Sequence, residues 1–397
     1  MKIAFVCGFA WEPKGTARLR AFPLAAELVN KGHEVSLFLT PYDNPAESGR
    51  EYTQEGVWIK NLKVGKIPVL NHVTLLIRLC RAIDRYSPDA VHIFKPKGYA
   101  GAACSYLLIK GFRSIVLDCD DWEGWGGWND IKDYPWVVKE YIDRQEKWLI
   151  RRAPVVTAAS RALEYRAVEL RGNSRNVLYI PNCGVSAKGI EVQEEVISKS
   201  DDAIRGDFEL PNTPIIFYNG HFEPGDDIMF FCRAAAPVAK RNGATIVLVG
   251  EGPDLPKVKE YFSHQEGVDV RFFSPLPYEQ FIQLVAISDV TAFPYPDNPL
   301  HRSKCSTRII DYMSMKRAVL TTAVGQNAEY ILNGESGILA PPGDENRFSR
   351  ELEVLLQDPE LRAKLGRNAR QRVKDTFSWS GMPLENCLAA YRQVSQT

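Results

Sequence analysis

The chain has 397 residues, 45% of them hydrophobic, and its 49 lysines and arginines balance 49 aspartates and glutamates. That length exceeds one typical core and suits two domains. The charge balance excludes a global basic field for nucleic acid, so any phosphate site must be local.

Short β-branched runs alternate with helix-length amphipathic segments. KIAFVC (2–7) reads as a first strand rather than a signal peptide, because Glu12, Pro13 and Lys14 follow its short apolar run. A helix near 17–31 leads to HEVSLFLT (33–40). VTLLIRLCRAIDRY (73–86) reads as a helix with a basic outer face, which offers a peripheral membrane contact. PDAVHIFK (88–95), SIVLDC (114–119), APVVTAAS (153–160) and NVLYIPN (176–182) are further strands, with helices near 99–110 and 135–152 between them. The acidic stretch 186–213 breaks the alternation and reads as a linker with room for one short helix. Strands then resume at PIIFYNG (214–220), TIVLVGEGP (245–253), VDVRFF (268–273), DVTAFPY (289–295), AVLTTA (318–323) and GILAPPGD (337–344), separated by helices. The last helix, 380–397, is expected to pack back onto the first domain. Continuous apolar strands alternating with helices imply parallel sheets covered on both faces. The expected fold is therefore α/β, with two Rossmann-like doubly wound domains, 1–185 and 214–379, facing across a cleft.

No run of 18 apolar residues predicts a membrane span. Eight scattered cysteines without a C-x-x-C pair read as buried free thiols. Six histidines without metal-ligand spacing argue against zinc.

Chemistry concentrates where strands meet helices. The loop GFAWEPKGTARLR (8–20) offers Gly15, a helix start near Thr16, and Arg18 and Arg20 in its first turn. DCDDWEGWGGWND (118–130) ends a strand in Asp118, Asp120 and Asp121, then interleaves Trp122, Trp125 and Trp128 with glycines. The carboxylates suit a general base or a hydroxyl ligand, and the indoles suit sugar rings or a lipid interface. YNGHFEPGDD (218–227) and VGEGP (249–253) are two more such loops, carrying His221, Gly250 and Glu251. In PDNPLHRSKCSTRIIDYMS (296–314), Arg302, Lys304 and Arg308 flank a helix start at Ser306 or Thr307, a metal-free way to hold phosphate. Arg308 and Asp311, three apart, share a helix face.

GEGPDLPKVKEY, RFFSPLPYEQFIQLVAISDVTAFPY, IIDYMSMKRAVLTTAVGQNAEYILNGESGILAPPGD and LGRNARQRVKDTFSW, with NKGHEVSLFLT, SPDAVHIF and VLYIPNCGV in the first half, resemble the retaining glycosyltransferases of family 4, which have the GT-B fold. The resemblance runs over nearly the whole chain. It implies a nucleotide-sugar donor on the second domain, an acceptor on the first, and transfer with retention and usually no metal. The family's E-x7-E element places its second acid at Asp311, but its first falls on Ser303. Arg308 stands where some members carry a lysine. The family's phosphate-holding arginine is replaced by His221, and no lysine follows among Glu223, Gly225, Asp226 and Asp227. A family histidine falls on Asp120, and the glycine-rich first loop is matched loosely around Gly15.

The resulting expectation is a cytoplasmic hexosyltransferase, or one peripheral at the inner membrane face, acting in glycan, polysaccharide or glycolipid biosynthesis. Asp120, Asp121 and Arg308 are the catalytic candidates. Gly15, Arg18, His221, Gly250, Glu251, Lys304, Ser306, Thr307, Arg308 and Asp311 are the donor contacts, and Trp122, Trp125 and Trp128 the acceptor contacts. No cofactor is expected. The Arg302, Lys304 and Arg308 cluster is expected to replace the missing phosphate grip, with a divalent ion between acids and phosphates as the alternative. The acceptor is a saccharide, a lipid-linked glycan or a small molecule. The second reading is a catalytically impaired protein of this fold that binds or scaffolds.

Overall fold

The computed structural model describes residues 1–65, 68–184 and 187–395. The chain forms two compact units: unit 1 is Met1–Cys183, Ser303–Cys305 and Phe377–Thr397, and unit 2 is Gly184–Arg302 and Ser306–Thr376. The expected boundary at residues 185 and 186 lies outside the described residues, as do the last two residues of the expected helix 380–397.

Unit 1 is built on an eight-stranded sheet of β1 (Lys2–Cys7), β2 (Glu34–Leu39), β3 (Glu51–Gln54), β4 (Val57–Asn61), β5 (Ala90–Phe94), β6 (Ile115–Cys119), β7 (Val155–Ala158) and β8 (Val177–Tyr179). The spatial order is β3-β4-β2-β1-β5-β6-β7-β8. The described pairings are parallel except β3 with β4. Strands β5, β6 and β7 are buried along their whole length, as parallel strands covered on both faces must be. The β3–β4 hairpin was not expected. Its strands alternate or are exposed instead of forming an apolar run, because they sit at the sheet edge.

Between the strands run α1 (Phe22–Asn30), α2 (Pro68–Tyr86), α3 (Gly98–Ile109), the short α4 (Trp128–Ile131), α5 (Trp136–Arg152) and α6 (Arg161–Arg171). Leu75 and Leu79 of α2, Leu107 of α3 and Leu149 of α5 enter one core with Val91, Ile93 and Leu117. Helix α6 shows why such segments start and stop: Ser160 Oγ accepts from Leu163 N, and Gly172 closes the end at φ 72°.

Unit 2 contains α7 (Ala187–Ser198), α8 (Asp201–Asp207), β9 (Ile215–Asn219), α9 (Ile228–Asn242), β10 (Thr245–Val249), α10 (Leu255–Ser263), β11 (Asp269–Phe273), α11 (Tyr278–Ala286), β12 (Val290–Phe293) and α12 (Pro299–Ser303), whose last residue clusters with unit 1. It continues with α13 (Thr307–Ser314), β13 (Ala318–Thr322), α14 (Gln326–Tyr330), β14 (Ile338–Ala340), α15 (Glu345–Gln357) and α16 (Pro359–Thr376). Its sheet runs β11-β10-β9-β12-β13-β14. The stretch expected to be a linker instead forms α7 and α8, which both pack on α11. Its acidic, serine-containing composition hides a narrow seam of Gln193, Val196 and Ile204, all buried. Gln193 Nε2 donates to Tyr278 Oη at 2.9 Å.

The chain ends in α17 (Met382–Val394), which packs on β6, β7, β8 and α1 of unit 1. His92 Nδ1 and Tyr391 Oη lie 2.8 Å apart, fully within the core. Burial pushes His92 down from 6.5 to about 4, with Asp118 opposing the shift and Arg20 adding to it. The unfolded chain therefore binds a proton that the folded chain refuses. The stability contribution is complete above pH 6.5 and is lost as pH falls toward 4. The loss is at most about 1.4 kcal/mol per pH unit. Between pH 7 and pH 5 in urea unfolding, the wild type should lose up to about 1.4 kcal/mol more per pH unit than His92→Gln; an equal pH response in the two would remove His92 as a contributor.

Candidate functional site

The carboxyl ends of β1, β5 and β6 gather charged side chains that water hardly reaches. Residues 16–21 wind as a wide π-type turn before α1, a feature common at functional sites. That turn carries Arg20 inward. Its Nε donates to Asp118 Oδ2 at 2.6 Å and its Nη2 to Asp118 Oδ1 at 2.7 Å, with both residues at least 97% buried. Thr157 Oγ1 adds a 2.6 Å bond to Asp118 Oδ1, and Arg20 Nη1 reaches Asn182 Oδ1 at 3.0 Å. Burial raises the carboxyl's pKa, but the guanidinium overcomes it and holds Asp118 below the usual carboxylate range.

Two residues along, Asp120 faces the opposite balance. Its Oδ2 accepts from Thr16 Oγ1 at 3.1 Å, while Oδ1 is buried without a hydrogen-bond partner. Lys95 Nζ stands 3.4 Å from that oxygen and 3.1 Å from Glu123 Oε1, and also pairs with Asp121. Burial pushes Asp120 up to about 7; Lys95 opposes this, and Asp121 and Asp118 add to it. Glu123, touched by both Lys95 and Lys97, is brought down to about 2 against its own burial. Lys95 occupies a left-handed backbone conformation, φ 70°, uncommon for a side-chain-bearing residue and typical of strained functional positions. Its N–H donates to Asp118 O at 3.0 Å.

Asp120, Asp121 and Glu123 present ligand oxygens within 4.8 Å of one another, a hard donor set of the kind that suits magnesium or calcium. The Lys95 ammonium already contacts all three. A divalent ion would have to displace it.

The tryptophan loop is fastened to α5. Glu146 accepts from the N–H groups of Glu123 and Gly124 at 3.0 Å each, and Arg166 Nη2 donates to it at 2.7 Å. Asp143 accepts from Trp125 N at 3.1 Å. A Cβ at Gly127 would lie 2.0 Å from Trp122 O, so only glycine lets the loop close. Trp122, Trp125 and Trp128 are each half-buried, and the Arg166 guanidinium lies 4.5 Å from the Trp122 ring centre. Trp136, Val137 and Tyr141 at the start of α5 are 67%, 70% and 53% exposed, an apolar surface absent from the sequence-based candidates.

The expected donor contacts fall in both units. Gly15 has an ordinary helical φ of −73°, and Arg18 pairs with Glu12 at 2.6 Å. Lys304 belongs to unit 1, where its ammonium lies 5.1 Å from the Trp128 ring centre. Arg302 is exposed and bound bidentately by Asp297 at 2.6 and 2.9 Å. The three cations, expected to act as one cluster, fall in two units, with Lys304 in unit 1 and Arg302 and Arg308 in unit 2. Each is held by a different neighbour.

In unit 2 the loops after β9 and β10 cross. Gly220 N donates to Val249 O at 3.1 Å, Phe222 N to Glu251 O at 3.0 Å, and Gly250 N to Phe273 O at 2.9 Å. Gly250 has φ 147°, and a Cβ there would sit 2.0 Å from Gly220 O. This glycine serves the crossing, and its N–H is already used. His221 and Glu251 are exposed. Ser306 precedes α13 without a side-chain cap bond. Thr307 and Arg308 form that helix's first turn, and Asp311 accepts from Tyr278 Oη at 3.1 Å. Arg308 is half-buried, with its guanidinium carbon 4.8 Å from the Phe293 ring centre, and its Nη1 is buried with no hydrogen-bond partner. Burial lowers its pKa, Tyr295 and Asp226 raise it, and the net shift is upward. Beside it, His301 is fully buried, its Nδ1 2.9 Å from Asn298 Oδ1 and its Nε2 3.1 Å from Asp226 Oδ1.

Sequence reasoning did not single out Lys95, Lys97, Glu123, Glu146 or His301. Only the K-P-K-G spacing after a strand hinted at the first two.

Two family profiles match the chain: "Glycosyl transferase 4-like domain" over residues 15–183 and "Glycosyl transferases group 1" over residues 213–358. N-acetyl-alpha-D-glucosaminyl L-malate synthase of Bacillus anthracis is 22% identical over 95% of this chain and 93% of its own. Alpha-D-kanosaminyltransferase of Streptomyces kanamyceticus is 24% identical over 66% of this chain and 68% of its own. Among solved structures, sucrose-phosphate synthase of Thermosynechococcus elongatus superposes with a TM-score of 0.75 at 19% identity, covering 99% of this chain and 98% of that one. Anabaena HepE in complex with UDP-glucose gives 0.71 at 16% identity, covering 100% and 98%. The two parallel-sheet α/β units match the GT-B architecture of these neighbours.

Removing one partner of a buried ion pair leaves the other charge uncompensated, at a cost of about 3–5 kcal/mol. Arg20→Met should lose that much stability in urea unfolding at pH 7, whereas the surface change Arg18→Met should lose under about 1 kcal/mol. Equal effects would contradict the Arg20–Asp118 pairing.

Proposed function

The chain belongs to the group 1 glycosyltransferases, and we propose that it moves a hexose from a nucleotide-sugar donor to a hydroxyl-bearing acceptor with retention of anomeric configuration. The biosynthesis of a glycan, polysaccharide or glycolipid, in the cytoplasm or at the inner membrane face, is the setting this reading implies. No described helix is long and apolar enough to cross a membrane.

The observation that carries the reading is Arg308. A buried guanidinium N–H without a partner is costly, and an anionic ligand at the uncapped start of α13 would satisfy it. Arg308 would hold the donor diphosphate and stabilise it as it departs. Asp311 would accept a ribose hydroxyl. The UDP-glucose complex of HepE supports a nucleotide-sugar donor. On unit 1, Asp120 would accept the acceptor's hydroxyl proton or hydrogen bond, with Asp121 and Lys95 setting its charge. The tryptophans of the 122–128 loop and the exposed Trp136 and Tyr141 suit the faces of sugar rings or a lipid-linked acceptor. Retention by front-face attack needs no protein nucleophile, and none is assigned. The Lys95 ammonium among the three acids supports a site without a resident metal.

Arg308→Ala should weaken nucleotide-sugar binding about 10- to 100-fold by titration calorimetry, the worth of a charge-assisted hydrogen bond. Unchanged affinity would remove Arg308 from the donor site. In Asp120→Asn, turnover should fall by about 10²–10⁴ while donor affinity persists. Wild-type kcat/KM should rise with pH through about 7 as Asp120 ionises, and Asp120→Asn should lose that limb. Donor hydrolysis should be unchanged by a chelator; loss of activity on chelation would place a metal among Asp120, Asp121 and Glu123.

A further inference from the structure

A second feature of unit 1 lies along the sheet edge, where α2 runs beside β4 and leaves a groove of about 530 Å³. Its apolar lining comes from Phe38, Trp58 and Tyr86, whose rings contact one another at centroid distances of 5.5–6.4 Å. Its rim is basic. Lys60 is neutralised by Glu51 at 2.7 Å, Lys2 sits 3.8 Å from Glu34, and Arg78 Nη1 donates to Lys63 O at 2.5 Å. Lys63, Arg81 and Arg85 are exposed and have no acidic partner among the described residues. Arg78, Arg81 and Arg85 recur every three or four residues, which puts their charges on one face of α2.

The second observation is Asn61, the last residue of β4. It lines the groove, is 2% exposed, and both its Oδ1 and its Nδ2 are buried without a hydrogen-bond partner. A buried amide with both ends unsatisfied is rare in folded proteins. Here it adjoins a space large enough for a ligand and a rim of unpaired cations. A flat patch of surface arginines would need no such residue.

We propose that this groove is a second ligand site, binding a phosphate ester whose attached ring or chain rests on Trp58 and Tyr86. The phosphate oxygens accept from Arg81, Arg85 and Lys63, and the Asn61 amide bonds a hydroxyl or phosphate oxygen at the recess. The ester is carried either by a soluble sugar phosphate or by a phospholipid headgroup. The site lies on different residues from the donor contacts and stands without them.

Two probes separate the sources: glucose 1-phosphate by titration calorimetry, in the Arg308→Ala background so that donor-site binding is reduced, and co-sedimentation with phosphatidylglycerol against phosphatidylcholine vesicles. The full chain should bind at least one of them. The exposed double variant Arg81→Gln/Arg85→Gln should weaken that binding at least tenfold while leaving nucleotide-sugar affinity unchanged. Asn61→Leu removes the orphan amide, so it should keep the wild-type melting temperature or raise it while also weakening binding. Sugar phosphate bound without vesicle binding identifies a soluble ligand, and phosphatidylglycerol-specific binding alone identifies a headgroup. Saturable binding of neither at millimolar concentration overturns the proposal, and so does binding that all three substitutions leave unchanged.

Discussion

The bidentate pair of Arg20 and Asp118 sets the electrostatics of unit 1. Two charges that deep survive only because each supplies the other's missing solvation and Thr157 and Asn182 complete the bonding. The pair fixes the turn that carries Thr16 to Asp120, and it leaves an ionised carboxylate two residues from a second one. Asp120 cannot share Arg20's fork, which Asp118 fills. It inherits burial, two neighbouring acids and a single lysine at 3.4 Å. Nearby carboxylates thus end far apart: Glu123, with two lysines, near 2, and Asp120 near 7. Separation of pKa values by environment is how one site holds a permanent anion and a proton acceptor together.

In unit 2 the loop after β9 carries Glu223, Asp226 and Asp227, and Arg302 is taken by Asp297. Arg308 is anchored over Phe293 and leaves one N–H unused. The glycines of the β10 loop serve a backbone crossing that brings the β9 and β10 loops together.

The parallel sheets could be read from the chain because buried parallel strands are continuous apolar runs, as in AVHIF and IVLDC. The β3–β4 hairpin could not, since an edge strand with polar faces looks like a loop. Helices α7 and α8 were hidden by composition: three buried residues in a stretch of acids and serines suffice when they face α11. Asp120 and Asp121 in unit 1 could be nominated by residue type and position after a strand, and Arg308 and Asp311 in unit 2 by position at a helix start. Lys95 and Glu123 could not, because a buried ion pair is a long-range contact and a lone lysine carries no periodicity. The neighbours of Arg302, Lys304 and Arg308 were illegible for the same reason: Asp297 pairs with the first, and the Trp128 and Phe293 rings lie against the other two. Closeness in sequence did not specify which acid or ring would claim each side chain.

In unit 1, Asp120 ionises near neutrality, with Lys95 the strongest of the charges that oppose its burial. Titration of ¹³C-labelled aspartate carboxyl carbons by NMR, with Asp120→Asn to assign the resonance, measures this directly. The Asp120 carboxyl should titrate near pH 7, and Lys95→Met should move it higher. A carboxyl titrating near 4 in the wild type, or unmoved by the loss of Lys95, would contradict the account.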